Sequence, residues 1–313
     1  MQHEEAGYHI PVLLERSIEL LVSDSEGVYV DGTLGGGGHS RYMLRQLGEN
    51  SRVFGFDQDD DAIQHAQLLF QGERRMTVVH SNVVHLTDVL NKYDIPEIDG
   101  LLLDLGVSSH QIDVPQRGFS FRFSGPLDMR MDREHTVTAA DFLAHNSEEE
   151  LAQVFFTYGE ERHSRGIARA IVRARSVSAI TETQQLVDII AGVTPMKHRS
   201  KTLARIFQAL RIAVNDELHV LEQTLDQAVD RLRIGGRLVV ISYHSLEDRI
   251  VKRFLRHEAR DCVCPPKSPI CQCEKVSRIR IITSKHTEAD ENEIRRNPRA
   301  RSARLRCGEK IHA

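Results

Sequence analysis

Along the first third of the chain the apolar positions follow two different periods. Residues 28–31, 52–57, 76–80 and 100–105 form short, nearly unbroken apolar runs, whereas 40–47 and 59–69 space their apolar residues three and four apart. The first pattern is that of strands buried on both faces, the second that of amphipathic helices. Acids at the start of 59–69 lie where the helix macrodipole favours them. This alternation predicts a doubly wound α/β fold with a mainly parallel sheet.

The rhythm breaks between about 147 and 202, where helical periods continue and no strand pattern is found. Ser147 followed by Glu150 makes a capping box ahead of a helix over 148–158. Helices over 160–175 and 181–191 follow, and Thr194-Pro195 closes the stretch. The α/β rhythm then resumes with a helix over 216–232 stopped by Gly235-Gly236, a strand over 237–242, a helix over 246–258 and a last strand over 277–284. The expected organisation is a sheet domain of residues 1–135 and 203–313, interrupted by an all-helical insertion of 136–202.

Composition narrows the function classes. No run in the 313 residues reaches the roughly 20 apolar positions of a membrane span. Residues 1–7 lack the basic start and apolar middle of a signal peptide, so a cytoplasmic protein is expected. A net charge of −4 excludes a uniformly basic nucleic-acid binder, but the charge is segregated. Arg295, Arg296, Arg299, Arg301, Arg304 and Arg306 crowd the C-terminus. Arg162, Arg165, Arg169 and Arg173 recur at helical steps, with Ile167, Ala170, Ile171 and Ala174 opposite. That face could lie along RNA phosphates or be a solvated face paired with Glu160 and Glu161. Lys197, Arg199, Lys201 and Arg205 add to the positive charge.

The most informative segment is Asp31-Gly32-Thr33-Leu34-Gly35-Gly36-Gly37-Gly38-His39-Ser40, a strand end followed by a glycine-rich turn into a helix. Bare backbone there lets a ligand approach closely. No Gly-Lys-Ser/Thr ends it, so it is not a P-loop, and Ser40 occupies the third position of a G-x-G-x-x-G. Asp57 ends the second strand, where a carboxylate can hold a ribose diol or simply cap the next helix. That geometry suits NAD and S-adenosylmethionine alike. Asp104, at the end of the fourth strand, adds a carboxylate that could hold an acceptor amine. His244, after a later strand, is a second candidate proton acceptor or a structural histidine. Phe119, Phe121 and Phe123 alternate across a loop, either to stack bases or to pack beneath it. Asp128, Arg130 and Asp132 follow, either around the site or paired with each other.

At this point the chain resembles the RsmH (MraW) family. The resemblance rests on His9-Ile10-Pro11-Val12-Leu13-Leu14, the glycine turn, residues 101–113 (LLLDLGVSSHQID) and residues 117–132 (RGFSFRFSGPLDMRMD). It continues through 158–171, 241–254 and 297–306, and so spans nearly the whole chain. It implies a class I, Rossmann-like methyltransferase that carries a methyl group from S-adenosylmethionine to N4 of a cytidine in 16S ribosomal RNA of the small subunit. It further implies cofactor contacts from Gly37, Gly38, His39, Asp57, Asp104 and Gln111. Val83 stands where the family often has an aromatic residue against adenine. The rival readings are an RNA-binding ribosome-assembly factor with a cofactor pocket and an NAD-dependent oxidoreductase.

Five cysteines remain, four of them as Cys262-x-Cys264 and Cys271-x-Cys273 around a Pro-rich turn. Four thiols so close could hold tetrahedral zinc. The spacing departs from the usual C-x-x-C and no catalytic step needs a metal, so reduced loop cysteines and no metal are the expectation.

Overall fold

The computed structural model describes residues 11–265 and 272–313. They form two compact units, one of the described residues up to 106 and from 218 on, the other of 107–217.

The first unit is built on seven strands: β1 (Val28–Asp31), β2 (Arg52–Asp57), β3 (Met76–His80), β4 (Ile98–Asp104), β5 (Leu232–Ser242), β6 (Ile279–Ile281) and β7 (Arg304–Lys310). Their order is β3-β2-β1-β4-β5-β7-β6. β1 to β5 pair in parallel, while β7 runs antiparallel to both β5 and β6. The helices of this unit are α1 (Leu14–Leu21), α2 (Gly38–Gln46), α3 (Asp60–Leu69) and α4 (Leu86–Lys92) before the insertion. The second unit holds α5 (Ser109–Asp113), α6 (Ala139–His145), α7 (Glu148–Thr157), α8 (Ser164–Arg175), α9 (Thr183–Val193) and α10 (Met196–Asn215). The chain then returns through α11 (Glu217–Arg231), α12 (Ser245–Glu258) and α13 (Glu291–Arg296).

Successive strand residues feed opposite faces. Tyr29, Val53, Leu102, Val239 and Ile241 pack with α1 and α2 residues such as Ile18, Leu21, Met43 and Leu44. Val30, Phe54, Leu101, Leu103, Leu238 and Val240 pack with Leu90, Leu225, Val229 and Val251. Covering both faces is what lets these strands be continuously apolar. The second unit has its own core, centred on Leu151, Phe155, Ile167, Ile171, Ile190, Ile206 and Leu210.

Four features depart from the sequence reading. The helical unit extends to 107–217 because Phe119, Leu127, Met129 and Met131 of the preceding loop are buried in its core. β5 starts at Leu232, and Gly235-Gly236 lies inside it at a register shift opposite Ile98 and Gly100, with Gly235 at φ 85°. The strand expected over 277–284 is only Ile279–Ile281. The C-terminal arginine run contains β7, a strand the charges obscured. Arg306 is buried because its guanidinium meets the Asp248 carboxylate at 2.7 Å, and Arg304 pairs with the same carboxylate. No helix among the described residues is long and apolar enough to cross a membrane.

Candidate active site

Parallel pairing aligns the C-terminal ends of β1, β2 and β4, so Asp31, Asp57 and Asp104 terminate neighbouring strands. The strand order reverses between β1 and β4, and ligands of open α/β sheets bind in the crevice at that point. Between Asp31 and α2 the chain makes its glycine turn. Gly35 and Gly37 hold φ of 49° and 73°, a left-handed conformation that disfavours side chains. Gly38 is needed for a different reason, since a Cβ there would meet Pro11 Cγ at 2.2 Å.

Asp57 is tied to this turn. Its Oδ2 accepts the Gly35 N–H at 2.8 Å and its Oδ1 the Asp59 N–H at 2.9 Å. Each oxygen keeps a further lone pair, the capacity a ribose diol needs. Burial pushes the Asp57 carboxyl up to about 6, against the lowering pull of those two N–H groups. Beyond β3 the chain turns through Asn82, whose side chain accepts the Val84 N–H. Val83 follows closely enough that a Cβ on Gly32 would lie 2.8 Å from its Cγ2. Val83 thus offers an apolar ledge beside the turn, with less surface than an aromatic ring.

Asp104 is the most constrained of the acids. Its N–H donates to Thr33 Oγ1 at 2.6 Å, fixing the strand end against the turn. Its Oδ1 accepts the Tyr243 hydroxyl at 2.7 Å, and its Oδ2 lies 3.7 Å from His39 Nδ1. Burial raises its pKa to about 6, with His39 and the Tyr243 hydrogen bond pulling the other way. The Tyr243 phenol is raised well above its ordinary value by burial and by the facing Asp104 charge, so it stays protonated and donates. His39 Nε2 lies 3.1 Å from the Val12 carbonyl. A carbonyl only accepts, so Nε2 is a donor, and Nδ1 is the nitrogen turned toward the carboxylate. Asp31, almost fully buried, accepts from Ser40 Oγ at 2.7 Å, and burial raises its pKa.

His244 has a local duty. It is the N-cap of α12, where its Nδ1 accepts the Glu247 N–H at 3.4 Å. Glu247 answers by accepting the N–H groups of Tyr243 at 2.8 Å and His244 at 3.2 Å. His244 Nε2 is buried and 3.1 Å from Glu247 Oε1, yet forms no hydrogen bond because its N–H is not directed at that oxygen. The pair therefore fixes the backbone at Tyr243, and the imidazole caps α12 through Nδ1.

In the second unit, Gln111 is buried and its Oε1 accepts the Ser108 N–H at 3.0 Å in a capping box of α5. Phe119 is buried, Phe121 meets Phe207 edge-on at 5.6 Å, and Phe123 is 44% exposed, so two of the three pack beneath the loop. Asp128 holds Arg130 through Oδ2 at 2.8 Å, while Arg130 also donates to the carbonyls of Arg133 and His135. Ile167, Ala168 and Ile171 bury one face of α8; Arg165, Arg169 and Arg173 are exposed on the other, and Arg162 is exposed in the turn before the helix, which starts at Ser164 rather than at 160. Glu161 pairs with Arg205 at 3.5 Å and Arg169 with Glu148 at 3.2 Å. Cys271 lies outside the described residues.

Tyr243, Thr33 and Glu247 were not foreseen as site residues. Tyr243 and Glu247 flank His244 in the same segment, and a tyrosine one residue past a strand end was the available signal.

The strand order, the inserted antiparallel β7 and the acids around a glycine turn define a class I methyltransferase, whose methyl donor is S-adenosylmethionine. The family model described as the MraW methylase family matches residues 6–311, and the chain belongs to that family. It is 48% identical over 310 residues to the ribosomal RNA small subunit methyltransferase H of Heliobacterium modesticaldum, covering 97% of this chain and 99% of that protein. It is equally 48% identical over 306 residues to the protein of that name from Carboxydothermus hydrogenoformans, covering 97% and 98%.

Proposed function

We propose that this enzyme transfers a methyl group from S-adenosylmethionine to the exocyclic N4 of a cytidine in 16S ribosomal RNA, acting on the small subunit in the cytoplasm. The observation that carries the chemistry is the Asp104 carboxylate, anchored through its own N–H by Thr33 and oriented by Tyr243. The residues at the turn fit the donor. Asp57 would hold the ribose hydroxyls, Val83 would flank adenine, and the turn at Gly37 and Gly38 would admit the rest against bare backbone. When bound, the donor supplies an electrophilic methyl on a sulfonium.

A cytosine amine is a weak nucleophile because its lone pair is delocalised into the ring. Asp104 accepts a hydrogen bond from that amine, favouring the pyramidal nitrogen that attacks and stabilising the positive charge that develops. The proton that the amine must lose on methylation would leave through Asp104. With its pKa near 6, that carboxyl is ionised at neutral pH and releases the proton again. His39 supports the carboxylate from the other side, and His244 with Glu247 holds Tyr243 in place.

RNA binding is assigned to the helical unit. Arg162, Arg165 and Arg173 are exposed and have no ion-pair partner among the described residues, so they are available to phosphates. The test is incubation with isotope-labelled S-adenosylmethionine and unmodified small subunits, followed by nucleoside mass spectrometry. Labelled N4-methylcytidine is expected; label on another nucleoside, or none despite cofactor binding, overturns the reading.

A further inference from the structure

The loop between α12 and β6 brings together three sulfurs that the methyl-transfer site does not use. The Sγ atoms of Cys262, Cys264 and Cys273 all lie within 4.8 Å of one another. Cys262 and Cys273 are 3.8 Å apart. Zinc–thiolate bonds are about 2.3 Å long, and the edge of a tetrahedron with such arms is about 3.8 Å. A disulfide would require the two sulfurs to approach to about 2.05 Å and would leave the third thiol unexplained. Hydrophobic packing does not account for the cluster either, because Cys262 is exposed and the other two are only half-buried.

The backbone around the sulfurs is arranged as a thiolate site needs. The Val263 N–H, between Cys262 and Cys264, donates to Cys273 Sγ at 3.3 Å. From the opposite segment, the Gln272 N–H donates to Cys264 Sγ at 3.4 Å. Donors aimed at sulfur favour its ionised form and orient the ligand. The base of the loop is closed separately, by Glu258 holding Arg278 at 2.6 Å and Lys275 at 3.4 Å. The chain is thus returned to the place where the three sulfurs converge. The C-x-C spacing argued against metal because it lacks the usual knuckle. Here residues two apart turn their sulfurs toward a third from the facing segment instead.

We propose that Cys262, Cys264 and Cys273 bind one zinc ion as thiolates, with the fourth position open to a further donor, and that the ion staples this loop rather than taking part in methyl transfer. A sulfur-rich tetrahedral set selects zinc over magnesium or calcium. Binding requires loss of the thiol protons, so it releases protons and weakens in acid.

The test uses the full chain, reduced and stripped of metal with a chelator, titrated with cobalt(II) as the spectroscopic probe. Expected is a thiolate-to-cobalt charge-transfer band that saturates at one ion per chain, with the strong visible bands of tetrahedral cobalt, both abolished by added zinc. Cys262→Ser and Cys264→Ser should each weaken the apparent affinity tenfold or more, with the far-ultraviolet circular dichroism unchanged. Should those variants fail to fold, alkylation of the wild type replaces them: zinc should protect Cys262, Cys264 and Cys273 from iodoacetamide. Absence of the band in folded, reduced protein overturns the proposal. So does a band indifferent to both substitutions, equal alkylation with and without zinc, or a Cys262–Cys273 disulfide in protein whose thiols were blocked at lysis.

Discussion

Tyr243 donates its phenolic hydrogen to Oδ1 of Asp104 across 2.7 Å, joining the ends of two adjacent parallel strands. The bond leaves Oδ2 as the oxygen facing His39. It also lowers the Asp104 pKa, since the hydroxyl stabilises the ionised carboxyl. The phenol cannot compete as a base, because its own pKa is raised.

Tyr243→Phe removes that hydrogen bond and little else. A hydrogen bond to a charged group is worth about 1.5–3 kcal/mol, so turnover should fall by about ten- to a hundredfold at neutral pH. The wild-type rate should decline as pH drops through about 6, where Asp104 protonates. In the variant the acid limb should move to higher pH, because a stabilising donor is gone. Turnover against pH at saturating substrates measures both; an unmoved limb would detach Tyr243 from the titration of Asp104.

Asp104→Asn should separate activity from stability. Turnover should be nearly lost, because the amide cannot take the proton. At neutral pH the fold should gain stability. Burial raises the Asp104 pKa from 3.8 to about 6, so its favourable contribution is present in acid and is lost as pH rises through 6. The rise from 3.8 to about 6 is already net of the attraction to His39, so relieving the buried charge stabilises by at most about 3 kcal/mol. Melting temperatures of both proteins at pH 4 and pH 8 test the sign. The variant should melt higher at pH 8, with the difference largely gone at pH 4.

Asp57→Ala should act on binding rather than chemistry. The substitution removes the proposed ribose acceptor and leaves the Gly35 N–H without its 2.8 Å partner. Affinity for S-adenosylmethionine by calorimetry should fall tenfold or more, with turnover at saturating cofactor much less affected. Equal affinity in both proteins would sink the ribose assignment.

The strands were legible where burial is symmetrical. The runs at 28–31 and 52–57 coincide with β1 and β2, because a doubly covered strand has few polar positions to confuse its period; the run at 76–80 coincides with β3, a half-buried strand at the edge of the sheet. β7 was not legible. Its Arg304 and Arg306 read as part of a C-terminal basic run, but Asp248 meets their charges, and Lys310 of the same strand donates to the Asp230 carbonyl. Periodicity carries no information about such long-range partners. The site shows the same division. Asp57 and Asp104 announce themselves as acids at strand ends, a local property. The part played by Tyr243 depends on a residue 139 positions away. His244 read equally as a base or a structural histidine, because its capping bond to Glu247 is a feature of geometry, not of residue type.

Charge reversal on α8 tests the RNA assignment. Arg165→Glu with Arg173→Glu changes two exposed guanidiniums on the face opposite buried Ile167, Ala168 and Ile171, so folding should be unaffected. If both meet phosphate, the KM for small subunits should rise tenfold or more, while affinity for S-adenosylmethionine stays constant. The slope of log affinity against log salt should also shrink, by about 0.7–0.9 for each phosphate no longer neutralised. Arg169 supplies an internal comparison, because its guanidinium is already engaged by Glu148 at 3.2 Å. Arg169→Gln should therefore cost less than neutralising Arg165. Equal effects at the two positions, or a salt slope unchanged by the double reversal, would place the RNA on another surface.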